Sequence, residues 1–166
     1  MMTNIKTIAL TVLLSVFSSG ITNAQCPSAS KVISVDTKND WGENSQSKSG
    51  KLRPGETYEM RFIIQGGIKY RISAAAGVED FSEDNVDFKV IGKQIEKSQE
   101  NGRTSYRAKE VVLYDSQSSD DEAIFLSERT RRLTIKVEIK GGEKSNLVQC
   151  AAILVEAKKA SKFGLN

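Results

Sequence analysis

The chain has 166 residues, with 24 Lys and Arg against 21 Asp and Glu, two Cys, one Trp and no His. The missing histidine removes a Ser-His or Cys-His hydrolase, a His-ligated metal site and a His-held haem. A net charge of only +3, spread along the sequence, argues against a dedicated nucleic-acid surface.

Residues 1–24 read as a secretory signal peptide. Lys6 supplies the positive start, residues 8–17 form an apolar run interrupted only by Thr11 and Ser15, and small and polar residues lead to Ala24. The run is short for a bilayer core of ~30 Å, so a retained membrane helix fits less well than a removed leader. Gln25 stands where a lipoprotein signal requires a small residue before Cys26. The expectation is an exported single domain over 25–166 with no transmembrane segment. Because little follows the last apolar segment, the periplasm is favoured over release. In that compartment Cys26 and Cys150 most simply form one disulfide, with a free reactive thiol as the alternative.

Period-two alternation dominates the rest. Residues 31–36 (KVISVD) offer a first strand, and Pro54-Gly55 signals a turn. Tyr58, Met60, Phe62 and Ile64 alternate with Glu59 and Arg61. Beyond Gly66-Gly67, Ile68, Tyr70, Ile72 and Ala74 alternate with Lys69, Arg71 and Ser73. Two glycines suit a tight turn, so 58–65 and 68–75 are predicted to form a β-hairpin. Val86, Phe88 and Val90 mark another strand, and 109–115 and 123–127 two shorter ones. Leu133, Ile135, Val137 and Ile139 alternate with charged and polar neighbours over 132–140. The nearly continuous apolar run 147–155 suits a central strand buried on both faces. Polar linkers are expected at 37–51, 76–85, 93–108 and 116–122, and 157–162 has room for one terminal turn. Seven or eight short strands with no helical stripe predict an antiparallel β-sandwich, jelly-roll-like, with an open barrel as the runner-up.

The order Leu52, Pro54-Gly55-Glu56, Tyr58, Phe62, Gly66-Gly67 and Tyr70-Arg71-Ile72 resembles the opening hairpin of bacterial pre-peptidase C-terminal β-sandwiches. The later order of Leu113-Tyr114-Asp115-Ser116, 130–139 and 150–155 is similar to small exported sandwich proteins of Bacteroidota-type envelopes. The resemblance implies a sandwich fold and a binding or folding role without catalysis. It brings no site residues.

Several features suggest chemistry. Asp115, Asp120, Asp121 and Glu122 put four carboxylates in eight residues, and Glu79, Asp80, Glu83, Asp84 and Asp87 form a second acidic run. Loop carboxylates are what Ca²⁺ needs, although neither run has EF-hand spacing, and solvated loop charge is the plainer account. Trp41, beside Asn44 and with Tyr106 and Phe81 in other polar segments, has the composition of a sugar- or peptide-recognition surface. It equally suits a plug for one end of the sandwich. Arg129, Arg131 and Arg132 cluster before a strand, where alternation sends Arg131 and Arg132 to opposite faces. They read as protection of a strand end, or as an anion-binding corner. Lys158, Lys159 and Lys162 read as a solvated tail.

These features favour a non-catalytic interaction module that binds an envelope or outer-membrane protein through loops or an exposed sheet edge. The alternative is a carbohydrate-binding or Ca²⁺-dependent adhesion module resting on Trp41 and the acidic loops. A small Ser-Lys or carboxylate hydrolase is a third, weaker reading.

Overall fold

A computed structural model of the chain describes residues 25–100, 103–140 and 147–160. The signal-peptide reading and Lys162 fall outside these residues. Nine strands are described: β1 (Gly42–Glu43), β2 (Lys48–Leu52), β3 (Thr57–Ile64), β4 (Ile68–Gly77), β5 (Val86–Glu100), β6 (Arg103–Asp115), β7 (Ala123–Leu126), β8 (Arg131–Ile139) and β9 (Gln149–Lys159). They form two antiparallel sheets that pack as a sandwich. Sheet A runs β1-β9-β4-β7, with β2 pairing β9 alongside β1, and sheet B runs β3-β8-β5-β6.

The core follows from the alternation. Met60, Phe62 and Ile64 of β3, Val86, Phe88 and Val90 of β5, and Leu133, Ile135, Val137 and Ile139 of β8 point inward from sheet B. They meet Tyr70, Ile72 and Ala74 of β4 and Ala151, Ile153 and Val155 of β9. Each large apolar side chain buried there contributes about 1.5–3 kcal/mol relative to exposure.

The predicted 58–75 hairpin is corrected. Its strands exist, but β3 pairs β8 along Thr57–Ile64, while β4 pairs β9 and β7 in the other sheet. Gly66-Gly67 is a corner between sheets. A Cβ on Gly66 would lie 2.6 Å from the Glu128 carbonyl oxygen, and Gly67 adopts φ +76° while its N–H donates to the Ser127 carbonyl. The glycines serve a close backbone approach and one left-handed residue. Alternation and turn chemistry are local, whereas the choice of partner strand is set by the whole sandwich. Among the described residues, β5 and β6 are the only consecutive strands that pair with each other.

Further expectations change: the 37–51 linker holds β1 and most of β2, and 157–159 continue β9 where a terminal turn was expected. Residues 31–36 are not a strand. A single helical turn, α1 (Ala29–Val32), leads into extended chain, with Ala29 and Ile33 buried at helical spacing. They pack with Ala75, Ala152 and Leu154 on the outward face of sheet A, where Val32, Val35 and Phe81 join them. That cover overrides the strand preference of a β-branched run. The 93–108 linker is instead the continuation of β5 and the first part of β6. Lys158 is no solvated tail, because it lies within β9.

The last apolar run is central, as its composition suggests: residues 151–156 of β9 are all buried, between β1 and β2 on one side and β4 on the other. Alternate residues face the main core, while Ala152 and Leu154 face the N-terminal segment. The Cys26–Cys150 disulfide is formed, with Cα atoms 5.5 Å apart, and staples that segment to β9. No helix among the described residues is long and apolar enough to cross a membrane.

Candidate functional site

The sandwich treats its sheet edges differently. At the outer edge of β3, the Gln46 side-chain amide stands in for a neighbouring strand. Its Nε2 donates to the Ile63 carbonyl at 2.9 Å, and its Oε1 accepts from the Ile63 N–H at 2.8 Å. β7 is a four-residue edge. β6, by contrast, is a thirteen-residue edge strand hydrogen-bonded on one side only.

β5 pairs β8 only from Val86 to Ile91, but pairs β6 from Lys89 to Glu100. Beyond Gly92 the two strands therefore continue as a two-stranded arm. A register shift between Val90 and Ile91 leaves Leu113 as the extra residue on β6. Such a bulge bends a strand and increases its twist, and here it marks the root of the arm. At this bend a Cβ on Gly92 would lie 2.9 Å from the end of the Leu113 side chain, so the glycine leaves room for Leu113 to pack over it.

Residues 93–99 and 103–110 are all exposed. The register sorts them onto two faces. One carries Gln94 opposite Lys109, Glu96 opposite Arg107 and Ser98 opposite Ser105. It is wholly polar, tied by a Lys109–Glu96 ion pair at 2.9 Å and a Ser98–Ser105 hydrogen bond at 2.6 Å. The other carries Ile91 opposite Val112, Lys93 opposite Glu110, Ile95 opposite Ala108 and Lys97 opposite Tyr106. Ile95 and Tyr106 are each 70 % exposed, and Val112 54 %. An isolated two-stranded ribbon is marginal in water, so pairing of its root with β8 is what holds this arm out.

This apolar face continues onto the outward face of sheet B. There a concavity of about 420 Å³ is lined by Arg61, Lys93, Arg132, Thr134, Lys136 and Glu110, with Glu59 beside Lys136. The Lys136 ammonium lies 2.8 Å from a Glu59 oxygen, and that hydrogen bond holds the Glu59 carboxyl below its usual range. Arg61, Lys93 and Arg132 make no ion pair among the described residues.

The residues singled out from sequence are scattered. Tyr106 lies in a strand, not between strands, on the apolar face of the arm. Arg131 is exposed at the start of β8, opposite Ile64 of β3. Asn44 shapes a turn: its Oδ1 accepts from the Gln46 N–H, and its own N–H donates to the Val155 carbonyl.

Trp41 is only 5 % exposed and is not a stacking surface. The Arg71 guanidinium lies 4.9 Å and the Lys158 ammonium 4.4 Å from its ring centroid. Lys158 also donates to the Asn39 carbonyl. Arg71 in turn makes a bidentate pair with the buried Glu156, Nε to Oε2 at 2.6 Å and a terminal nitrogen to Oε1 at 2.9 Å. Glu156 stands directly opposite Arg71 in the β4–β9 register and also accepts from the Asp36 N–H. The pair with Glu156 raises the Arg71 pKa against the effect of burial. Trp41 thus caps a cross-strand ion pair, with cation–π contacts worth about 0.5–2 kcal/mol each.

The Asp115 carboxylate pairs with Lys89 at 2.8 Å and accepts from the Gln117 N–H. Asp120, Asp121 and Glu122 line a different hollow of about 550 Å³, where they meet Glu83, Asp84 and Asp87 of the second acidic run, with Glu156, Arg71 and Lys140 also in the lining. Among the described residues, no three His, Cys, Asp or Glu side chains are placed to hold a metal ion.

Sequence reasoning singled out Arg132 within the 129–132 cluster as an anion-binding corner, but missed Arg61, Lys93 and the continuity of the arm. Alternation sends Arg61 and Arg132 outward, but only the β3–β8 register, with Arg61 opposite Thr134, sets them side by side. The expected sandwich is present as an all-β, two-sheet architecture, whereas the opening hairpin on which the resemblance to pre-peptidase C-terminal modules rested is a crossover between sheets. No protein-family model matches this chain, and no curated protein sequence matches it either.

Proposed function

We infer that this chain is an exported, non-catalytic interaction module that holds another protein of the cell envelope through the β5–β6 arm. One observation carries the reading: an arm exposed at every residue over 93–99 and 103–110 segregates Ile95, Ala108, Tyr106 and Val112 onto a single face. Solvent alone gives no reason for that segregation, whereas a partner surface covering one face does. The open β6 edge, at the opposite side of sheet B from the β3 edge blocked by Gln46, adds a route for strand addition. The leader pattern of residues 1–24 and the Cys26–Cys150 bond support export to an oxidising compartment such as the periplasm. A carbohydrate-binding or Ca²⁺-dependent adhesion role has less support, because Trp41 is interior and no three carboxylates among the described residues are placed to hold a metal ion.

The test is site-specific photocrosslinking in the native cell. A benzoylphenylalanine replacing Tyr106 is expected to give one dominant envelope-protein adduct, and the same probe replacing Ser98 on the polar face none. Equal adducts at both positions, or none at either, would remove the arm from the function.

A further inference from the structure

The concavity on sheet B and the apolar face of the arm form one surface, because Lys93 belongs to both. Its charge is lopsided. Arg61, Lys93, Lys97 and Arg132 form no ion pair among the described residues, and Glu110, opposite Lys93 in the β5–β6 register and in the same lining, is the unpaired carboxylate beside them. Lys136 is already committed to Glu59. Three cations from three adjacent strands therefore surround a hollow whose centre holds the Thr134 hydroxyl, a further hydrogen-bond donor. Successive strands lie ~4.8 Å apart, so this cluster spans about 10 Å, wide enough for two or more anionic groups rather than one small ion. Outward along β5, a cation and an apolar residue then alternate, Lys93, Ile95 and Lys97, with Tyr106 opposite Lys97.

We propose that this surface binds an acidic, extended peptide segment of the partner. Its carboxylates sit in the Arg61–Lys93–Arg132 hollow, and its alternate apolar side chains lie on Ile95 and Tyr106. The proposal rests on the interaction reading above and adds the chemistry of the occupant. Guanidinium groups accept carboxylates in a planar, two-pronged fashion, and the two arginines here supply the fixed donors that lysines lack. A peptide is favoured over a simple polyanion because the cationic hollow runs directly into an apolar strip, which a chain of sugars or phosphates would leave uncovered.

The experiment uses the disulfide-bonded mature protein and a fluorescein-labelled peptide of alternating Glu and Ile, eight residues long, read by anisotropy. Alternating Ser-Ile and Lys-Ile peptides, and polygalacturonate, are run alongside. The Glu-Ile peptide is expected to bind, with affinity falling as salt rises. Arg61→Gln combined with Arg132→Gln is expected to weaken it at least tenfold while leaving the melting temperature unchanged. Tyr106→Ser is expected to weaken the Glu-Ile peptide but not polygalacturonate. Equal binding of the Ser-Ile peptide, no loss in the arginine variant, or tighter binding of polygalacturonate than of the peptide would each overturn the proposal. The crosslink at position 106 is read separately in the arginine variant. An adduct that persists there unchanged sinks the acidic-segment inference and leaves the interaction reading standing, whereas no adduct in either protein sinks that reading itself.

Discussion

β9 and the β5–β6 arm are opposite solutions to the same problem of covering a strand. Six successive residues of β9 are buried, because the main core takes one face and the segment from Ala29 to Val35 takes the other. Among the described residues the arm has no covering element on either face, and only its root is paired on both edges. The chain uses its own N-terminal residues and a disulfide to close the outward face of sheet A, and leaves the outward face of sheet B open. The lesson is that exposure in this fold is selective. One sheet is covered and one edge is blocked by a glutamine amide, while the outward face of the other sheet is exposed among the described residues.

The sharpest way to break the comparison is to cut the staple. Cys26 and Cys150 are 124 residues apart in sequence, and a loop of that length corresponds to about 4–5 kcal/mol of chain-entropy stabilisation. The Cys26→Ser, Cys150→Ser double variant is expected to lose stability of that order in urea unfolding. Hydrogen exchange is expected to accelerate first at Ala152 and Leu154, under the released segment. The arm amides should keep the exchange rates of the unaltered protein. A loss below about 1 kcal/mol would mean that the apolar contacts of Ala29 and Ile33 hold the segment unaided.

The two aromatic residues that sequence reasoning placed together separate the regions next. Trp41→Ala removes a buried ring and uncovers the Arg71–Glu156 pair, so it is expected to cost about 3–5 kcal/mol. Tyr106→Ala removes a ring that touches mostly water and is expected to change stability by less than about 0.5 kcal/mol. Thermal unfolding of the two variants checks both. Similar losses would place Tyr106 in a packed environment and close the arm as a binding surface.

How much of this was legible in the sequence follows the same division. Strand existence was readable wherever one face is buried and one wet: Leu133 to Ile139 and Met60 to Ile64 announce themselves by period two. The central position of β9 was readable from its unbroken apolar run. Partner choice was not, because Gly66-Gly67 looks the same whether it closes a hairpin or turns a corner between sheets. The arm was invisible for a different reason. Residues 93–99 and 103–108 are mostly polar because both faces meet water, so they lack the alternation that burial imposes, and Ile95 and Tyr106 read as isolated residues until the register joined them. Trp41 lacked any periodic neighbours, since its environment is built from Arg71, Lys158 and Glu156, far away in sequence.

Acid provides the gentlest probe, and it acts on both regions through different carboxylates. On the covered side, a hydrogen bond from the Asn39 amide, aided by Arg71, lowers the Asp36 pKa from its usual 3.8. At the root of the arm, burial pushes the Asp87 carboxyl up, but hydrogen bonds from Gln117 and Lys140 outweigh it and the net shift is downward. The Lys89 ammonium lowers Asp115 in the same way. A carboxyl whose folded pKa lies below its unfolded one binds fewer protons when folded, so its stabilisation is complete above the unfolded value and is lost as pH falls through the folded one. Unfolding free energy is therefore expected to be level from neutral pH to about 5 and to decline below about 4. Asp87→Asn is expected to lower the neutral-pH plateau slightly and flatten the decline. Asp36→Asn should do the same while also speeding exchange in the segment from Ala29 to Val35. Since Asp87 bridges β5 to Lys140 and Gln117, its loss acts at the root and leaves the exposed residues beyond Gly92 as they were. Peptide binding by the arm in the Asp87→Asn variant should accordingly match that of the unaltered protein, and a weakened arm would show that root and tip are mechanically coupled.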